Sequence, residues 1–183
     1  MSYVETFNTP IFYSNKQIIG KSAEIIANVK QLAATNGLHF KHYPNAHHKV
    51  VSCAEAVVAR SINLESELKS ILFKVKEEFY IAHLSANKDF SSKKIKRFLK
   101  NKSISCKRFR FASLEELNTH FGISCGLVSP FHPKLYYLRQ FVCKKILSNT
   151  LFYTNDGSYT GYVTFSPTLV TLNKNVTIGD FSE

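Results

Sequence analysis

The sequence predicts a single α/β domain with a mixed β-sheet and flanking helices. The chain has 183 residues, of which 44% are hydrophobic and 13% are aromatic, and this is enough to bury one core. Segments with the helical period of 3.6 residues are scattered among at least six short strand-like segments, an order that favours one mixed α/β domain. We see no internal repeat, low-complexity tract or linker, so one domain is expected.

Helices and strands alternate from the start of the predicted domain. Apolar residues at the 3.6 period predict an amphipathic helix over 15–36, which Gly37 ends. A strand is predicted at Leu38–Tyr43. Ser52 and Glu55 then form a capping-box pattern, which predicts the start of a second helix.

A β-hairpin is predicted in the middle of the chain. Leu68–Val75 and Phe79–Leu84 have strand character, and the charged residues Lys76–Glu78 between them are typical of a turn. A helix with its lysines outward follows at Ser91–Lys100, and a short strand of alternating Arg and Phe at Arg108–Phe111.

The second half of the chain is mostly strand. A second capping box at Ser113 opens a helix that ends near Gly122. Further strands are expected at Leu135–Val142, Leu151–Thr154 and Tyr162–Phe165. Asn155–Ser158 is a strong turn signal between the last two strands. The first 14 residues and the tail after Val176 are expected to be flexible or peripheral. We therefore predict an N-terminal extension over 1–35 and the main domain over 36–176.

The positive charge is concentrated in one segment. The chain has 24 Lys and Arg residues against 13 Asp and Glu residues, a net charge of +11. Ten of the basic residues lie between Lys88 and Arg110, where Asp89 is the one acidic residue, and we call residues 88–110 the basic segment. Such a field concentrates polyanions, although a solvated basic helix would have the same composition. The expected RNA contacts on its helix are Lys93, Lys96, Arg97 and Lys100.

Several classes of protein are not expected. No apolar run is long enough to span a membrane, and no secretory signal is visible at the N-terminus, so a cytoplasmic protein without membrane contact is predicted. The four cysteines are widely spaced without a C-x-x-C pair, which favours reduced thiols. They are Cys53, Cys106, Cys125 and Cys143.

Neither a metal nor a cofactor is expected. His39 and His42 would point to opposite faces of one strand, so they cannot both ligate one ion without distortion. The chain also lacks the H-E-x-x-H, Walker, G-x-G-x-x-G and G-x-S-x-G motifs. The residues therefore support no metal hydrolase, nucleotide-cofactor enzyme or nucleophilic triad.

Lys69 is the first candidate functional residue. It stands at the head of an apolar strand, where its stem can be buried while the ammonium reaches the rim of the sheet. There it can hold a phosphate or a developing oxyanion. An ordinary lysine at the sheet edge is the competing interpretation.

The loop that begins at Gly126 is the second candidate. Glycine allows a close approach of the backbone to a ligand, and the residue before Pro130 is held extended. Backbone N–H groups in such a loop can stabilise a tetrahedral oxyanion. A purely structural turn remains the alternative.

Several short motifs in this order resemble the YbaK and prolyl-tRNA synthetase-associated (INS-type) editing domain family, over about residues 36–172. His48–Ala56 is similar to its H-x-x-x-T-x-E-E-A opening, with serine for threonine, and Leu68–Phe73 to its K-T-L strand. Ser113–Leu117 matches its S-x-E-E-L helix, and Gly126–Phe131 matches its G-x-V-[ST]-P-[FL] loop. Asn155–Ser158 falls where the family has a late Asn/Gly turn.

The resemblance implies a partly barrel-like sheet and an aminoacyl-tRNA deacylase that acts in trans, without metal, cofactor or covalent intermediate. Its substrate would be mischarged tRNA, typically proline tRNA carrying a small amino acid. Lys69 would hold the terminal adenosine or its phosphate, and the backbone from Gly126 to Ser129 would face the ester carbonyl. The substrate pocket is expected to include His48, Ser52, Ser70, Leu127, Val128, Pro130, Asn155, Gly157 and Ser158. The partners would be the acceptor end of tRNA and, as a further option, an aminoacyl-tRNA synthetase.

Two departures from the family pattern keep a second interpretation open. Cys143 or Lys144 occupies the region where the family often has an aspartate, and Leu127 replaces the second glycine that the loop has in YbaK itself. Leu127 could narrow the amino-acid pocket. The alternative is a non-catalytic module of the same fold that binds RNA or a synthetase.

Overall fold

The computed structural model describes residues 23, 26, 27 and 29–183. Most of the helix predicted over 15–36, and the whole of the first 14 residues, lie outside these. Described residues 29–35 are helical, and Gly37 follows with φ 63°, the left-handed conformation expected after a helix end.

Two sheets and their flanking helices make up the described part of the chain. The strands are β1 (Phe40–Tyr43), β2 (Leu68–Val75), β3 (Glu78–Ser85), β4 (Arg110–Phe111), β5 (Arg139–Cys143), β6 (Phe152–Asn155), β7 (Tyr162–Phe165) and β8 (Val176–Gly179). The helices are α1 (29–35), α2 (Cys53–Arg60), α3 (Ser92–Asn101), α4 (Leu114–Glu116) and α5 (Thr168–Thr171). A π-helical turn at Leu117–Phe121 extends α4, and a 3-10 turn at Lys144–Ser148 follows β5.

The larger sheet is mixed, as the sequence predicts. Its strand order is β4-β2-β3-β5-β8, with β3–β5 and β5–β8 parallel and the other pairs antiparallel. The smaller sheet, β1-β7-β6, is antiparallel throughout. A bridge between Glu67 and Tyr153 links the two sheets beside β2, and they are not closed into a barrel. The prediction of one α/β domain with a mixed sheet is confirmed.

The central hairpin forms where the sequence places it. β2 has the predicted bounds, and β3 begins one residue before the predicted strand. Lys76 adopts φ 55° in the turn, so the chain reverses within two residues and sets the register of the hairpin. Ser70 is therefore directly opposite His83.

Serine caps begin the two helices that carry capping patterns. The Ser52 hydroxyl accepts a hydrogen bond from the Glu55 N–H at 3.2 Å. The Glu55 carboxylate accepts from the Val51 N–H rather than from that of Ser52, so this capping box is shifted by one residue. At Ser113 both hydrogen bonds of the predicted box are present.

Helix α3 covers the face of the larger sheet that Phe73 and Phe141 line. Ile95 and Leu99 are fully buried against these rings, and Phe98 is half-buried beside them. The lysines of α3 lie on its other side, as the periodicity predicts. No helix in the described ranges is both long and apolar enough to cross a membrane.

Two predicted strands begin later than expected. The prediction of a strand from Leu135 is wrong, because residues 133–138 form turns in which the Leu135 N–H donates to the His132 carbonyl. β5 starts only at Arg139. The strand predicted from Arg108 starts at Arg110, since Arg108 has φ 58° and cannot continue an extended ladder.

The expectation of a flexible or peripheral tail after Val176 is also wrong. Residues Val176–Gly179 form β8 and add an edge strand to β5. Beyond it, Phe181 and Ser182 are buried, and the Ser182 hydroxyl lies 3.1 Å from the Cys143 sulfur. The tail is thus part of the core that supports α3.

Candidate active site

A cavity of about 230 Å³ opens between the starts of α2 and β2, the loop after Ile123, and the end of β6. Eight of the sequence-predicted site residues line it: Ser52, Lys69, Ser70, Gly126, Leu127, Val128, Asn155 and Ser158. The fold thus brings together motifs that are up to 106 positions apart (Ser52 to Ser158) in the sequence.

Four predicted residues lie elsewhere. His48 is exposed beside His47 and is not part of the cavity lining. Ser129 is buried, and its hydroxyl accepts a hydrogen bond from the Phe131 N–H at 3.4 Å. Ser129 and Gly157 face a second, much smaller cavity, and Pro130 is buried outside both linings. The geometry gives these four residues no place in the main cavity.

Gly126 holds the loop against the segment that precedes α2. It has φ 82°, and a Cβ built there would lie 2.6 Å from the Val51 carbonyl oxygen. That separation is shorter than any tolerated contact, so only glycine fits without movement of the backbone. The predicted close approach of backbone at this glycine is therefore present, against Val51.

Asn155 fixes the same loop from the other side. Its Nδ2 group donates to the carbonyls of Val128 at 3.3 Å and Gly126 at 3.5 Å. The Leu127 N–H donates to the Ser124 carbonyl, whereas the N–H groups of Gly126 and Val128 donate to no residue that the structure describes. Two backbone donors beside the cavity are thus available to a ligand.

Lys69 lines the cavity, but its ammonium group is engaged. The Nζ atom donates to the carbonyls of Lys88 at 2.7 Å and Ala86 at 3.5 Å. No carboxylate of the described residues lies within ion-pair distance of it. The Lys69 side chain therefore connects the cavity to the start of the basic segment through the Lys88 carbonyl.

Ser70 belongs to a chain of hydrogen bonds that sequence reasoning missed. Its hydroxyl lies 2.9 Å from His83 Nδ1, and His83 Nε2 lies 3.1 Å from the Gln140 side-chain oxygen. Burial lowers the pKa of His83 to about 4, so the ring is neutral near pH 7. With Gln140 accepting from Nε2–H, Nδ1 accepts the Ser70 proton, which leaves the lone pairs of the hydroxyl oxygen for a ligand in the cavity.

An ion pair at the cavity was also missed. Arg60 Nη1 donates to both carboxylate oxygens of Glu67, at 2.6 and 2.7 Å, and both residues line the cavity. Burial raises the pKa of the neighbouring Cys53 thiol, and the Glu67 charge raises it further. Glu67 directly precedes β2, but its position in the sequence does not indicate that it is buried.

The histidines that were tested as metal ligands have other partners. His39 Nε2 lies 2.7 Å from the Thr164 hydroxyl, and His42 Nε2 lies 2.7 Å from an Asp156 oxygen. Among the described residues, no three His, Cys, Asp or Glu side chains are placed to hold one ion.

The sequence match decides the family. A model of the aminoacyl-tRNA editing domain matches residues 47–172, which include every element of the cavity. The chain belongs to the aminoacyl-tRNA editing domain family. No curated protein matches the sequence of this editing domain significantly.

Solved structures share the fold of this editing domain. One, a candidate trans-editing enzyme for prolyl tRNA synthetase, has a TM-score of 0.67 at 18% identity and covers 88% of this chain and 97% of its own. A hypothetical protein of known structure has the same TM-score and identity, with coverages of 85% and 99%. A scaffold from a study of computational epitope grafting has a TM-score of 0.66 at 15% identity, with coverages of 88% and 97%. At these identities the likeness shows the fold alone.

The basic segment of the editing domain is partly neutralised. Arg110 forms two hydrogen bonds of 2.6 Å with Glu116, and Lys94 is 2.9 Å from Asp180. Of the four predicted RNA contacts, Lys93, Arg97 and Lys100 are exposed, and Lys96 lies 4.8 Å from the centre of the Phe109 ring. These four residues form a continuous positive face on α3, and RNA binding there stays a prediction.

Proposed function

We propose that this editing domain is a trans-acting deacylase that hydrolyses the ester of mischarged tRNA. The observation that carries the proposal is the cavity bounded by Lys69 and by the loop from Gly126 to Val128. The family match supports an editing role. The similarity to a candidate trans-editing enzyme for prolyl tRNA synthetase supports proline tRNA as the substrate.

The reaction needs no nucleophile from the protein. An aminoacyl ester is already reactive, so positioning and electrostatic stabilisation can supply a useful rate. Water attacks the ester carbonyl, and the N–H groups of Gly126 and Val128 stabilise the oxyanion. Collapse of this intermediate breaks the bond to the ribose oxygen, which takes up a proton from the water and leaves as the terminal hydroxyl of the tRNA, while the amino acid is released. The Lys69 charge holds the terminal adenosine or its phosphate. The neighbouring ribose hydroxyl of the RNA assists the water, as the resemblance implies.

The dimensions of the cavity favour a small amino acid. Its volume is about 230 Å³, and the apolar side chains of Leu127, Val128 and Leu68 take up part of its wall. Leu127 stands where YbaK itself has a glycine, so it removes space that a larger substrate side chain would need. Alanine, serine and cysteine are the proposed substrate side chains, since the resemblance implies a small amino acid.

One contact favours the non-catalytic alternative. The Lys69 ammonium is bonded to the carbonyls of Ala86 and Lys88, so binding of a phosphate would have to share or displace these bonds. The open cavity beside Lys69 favours catalysis, because a pure docking module has no need of it. The two functions differ in whether the ester is cleaved.

Deacylation of a panel of charged RNAs tests the proposal. Proline tRNA carrying alanine, cysteine, serine or proline is incubated with the purified protein. The matched control is alanine tRNA that carries alanine, its correct amino acid. We expect hydrolysis of at least one mischarged proline tRNA and no hydrolysis of the correctly charged species. Binding of these RNAs without release of any amino acid would establish the non-catalytic module instead.

A further inference from the structure

The ion pair of Arg60 and Glu67 is buried, yet it faces the cavity. The two side chains are 1% and 5% exposed, and both contribute to the cavity wall. Arg60 is the last residue of α2, and Glu67 precedes β2 at the bridge to Tyr153. Removing two ions from bulk water costs free energy. A buried ion pair that nevertheless faces a cavity is therefore a candidate for contact with a ligand.

Arg60 is fixed on its other sides. Its guanidinium carbon lies 5.1 Å from the centre of the Tyr162 ring, and its Nε is 3.4 Å from His47 Nε2. The Tyr162 ring is itself stacked on Tyr43, with centroids 4.6 Å apart. The guanidinium therefore stays in place, and it presents one nitrogen, Nη1, to the carboxylate.

Glu67 is incompletely compensated by this partner. Both of its oxygens accept from the same nitrogen, whereas a carboxylate has about four lone-pair sites. Burial raises the pKa of Glu67 to about 7 although Arg60 opposes the shift. The described residues bring no second cation to it, because the Lys69 ammonium is turned to the carbonyls of Ala86 and Lys88. A cationic ligand in the cavity would supply further hydrogen-bond donors to the carboxylate oxygens, together with a second positive charge.

We propose that the Glu67 carboxylate binds the α-ammonium group of the aminoacyl ester. The inference rests on the proposed function, and it defines the substrate class as esters with a free α-amino group. The Ser70 hydroxyl is a second acceptor for the same group, because its own proton goes to His83 and its lone pairs remain. Esters whose amino group is formylated, acetylated or part of a peptide lose the positive charge and are rejected.

Such a contact would let the enzyme discriminate between tRNAs whose ester carries a free amino group and tRNAs whose amino group is acylated. An editing enzyme without this contact would also cleave the esters of formylated initiator tRNA and of peptidyl-tRNA, if their RNA ends entered the cavity. With the contact, N-acylated species gain no ion pair and leave Glu67 buried beside a neutral group. The lost ion pair and the uncompensated burial of Glu67 both disfavour binding of N-acylated esters.

Two substrates that differ only at the amino group test the inference. The substrates are proline tRNA charged with alanine and the same RNA charged with N-acetylalanine. Each is assayed with the wild-type protein, with Glu67→Gln, and with Glu115→Gln, which changes an exposed glutamate and serves as the control. We expect wild type to prefer the free amine by about 10- to 100-fold in kcat/KM, the range of one charged hydrogen bond. Glu67→Gln should lose most of this preference, whereas Glu115→Gln should keep it. Equal rates for the two substrates with wild type, or a full preference in Glu67→Gln, would overturn the inference.

A binding measurement separates this inference from the proposed function. The probes are 3′-alanylamino-3′-deoxyadenosine, whose amide replaces the ester, and its N-acetyl form, titrated calorimetrically into the wild-type protein. Tighter binding of the free amine without hydrolysis of any ester would refute the deacylase but support the subsite. Hydrolysis of esters with no difference between the probes would refute the subsite and leave the deacylase standing. Because both probes are used with wild type, the result does not depend on the folding of a variant.

Discussion

Ser70 and His83 lie directly opposite each other on β2 and β3, and the Ser70 hydroxyl is 2.9 Å from His83 Nδ1. His83 is 1% exposed, and its pKa is lowered to about 4 by burial. The pairing therefore requires a neutral ring, with Gln140 accepting from one nitrogen and Ser70 donating to the other. Protonation of the His83 ring in acid would break this pairing.

Stability should fall as the pH is lowered from about 6.5 to about 4. In that window the unfolded chain takes up a proton at His83 and the folded chain does not, so protonation favours unfolding. The full effect for this one residue is on the order of 3 kcal/mol. Buried His132, whose pKa burial also lowers to about 4, acts in the same direction.

Urea unfolding at pH 7, 6 and 5 measures this dependence. His83→Gln should make the free energy of unfolding less dependent on pH, by up to about 1.4 kcal/mol per pH unit. Glu67→Gln should make the free energy of unfolding more dependent on pH between about pH 4.5 and 7. In this window the raised pKa of Glu67 makes the wild-type protein lose stability as the pH rises, which opposes the effect of His83, and the substitution removes that opposing effect. An unchanged slope in His83→Gln would show that the ring is already charged in the folded state.

Lys69→Ala should abolish most deacylation. The substitution removes the positive charge at the cavity and the two hydrogen bonds that tie residues 86 and 88 to β2. We expect a loss of about 100-fold or more in kcat/KM and a loss of about 1–3 kcal/mol in stability. Lys174→Ala, which removes an exposed lysine, is the matched control. A Lys69→Ala enzyme with a near wild-type rate on its best substrate would remove Lys69 from the mechanism.

Gly126→Ala should cost more than the same change at Gly37. Both glycines have a positive φ, so substitution of either by alanine costs about 1 kcal/mol of backbone strain. Only at Gly126 would the new Cβ meet backbone, 2.6 Å from the Val51 oxygen, whereas nothing lies within 4 Å at Gly37. We therefore expect Gly126→Ala to lose deacylation strongly and Gly37→Ala to lose stability slightly without loss of rate. Thermal unfolding and single-turnover hydrolysis distinguish the two, and equal rates would mean that the loop is only structural.

Charge reversal on α3 should weaken RNA binding and flatten its salt dependence. Each phosphate that a lysine or arginine neutralises releases counterions, so affinity falls with salt in proportion to the number of contacts. Lys93, Arg97 and Lys100 are exposed, so their joint change to Glu should alter stability little. Adding Lys96→Glu should cost some stability, because this ammonium lies over the Phe109 ring.

The control for that experiment carries the same change of net charge elsewhere. Lys30, Lys144 and Lys174 are exposed, and their reversal to Glu matches the triple variant of α3. Affinity for a mischarged proline tRNA is measured at several salt concentrations for both variants. If the two lose the same affinity and slope, net charge alone attracts the RNA and α3 is not its docking face.

Local patterns in the sequence predicted the parts of the fold that depend on near neighbours. The hairpin was predictable because the two apolar strands flank a charged turn, and the capped helices because the hydroxyls of Ser52 and Ser113 each accept a hydrogen bond from the backbone N–H three residues ahead. The glycine loop was predictable because a backbone with φ 82° requires glycine.

Contacts between distant segments were not predictable in this way. β8 has only four residues, too few for a periodic signal, and its partner β5 begins 37 positions earlier (Arg139 to Val176). The burial of Ser129 depends on the turn after the loop, which directs its hydroxyl to the Phe131 N–H and away from the cavity. The ion pair of Arg60 and Glu67 forms only once α2 and β2 have packed, and neither residue shows burial in the sequence pattern.

The tail beyond β8 gives helix α3 its partners late in synthesis. Lys94 binds Asp180 and the Ser182 carbonyl, 86 and 88 positions further along the chain, and the Ser91 N–H donates to the Phe181 carbonyl. At typical translation rates these partners leave the ribosome on the order of ten seconds after α3. During that interval Ile95 and Leu99 lack Phe181, which belongs to the same buried cluster in the folded protein. The packing of α3 on the larger sheet can therefore be completed only after residues 180–182 have been synthesised.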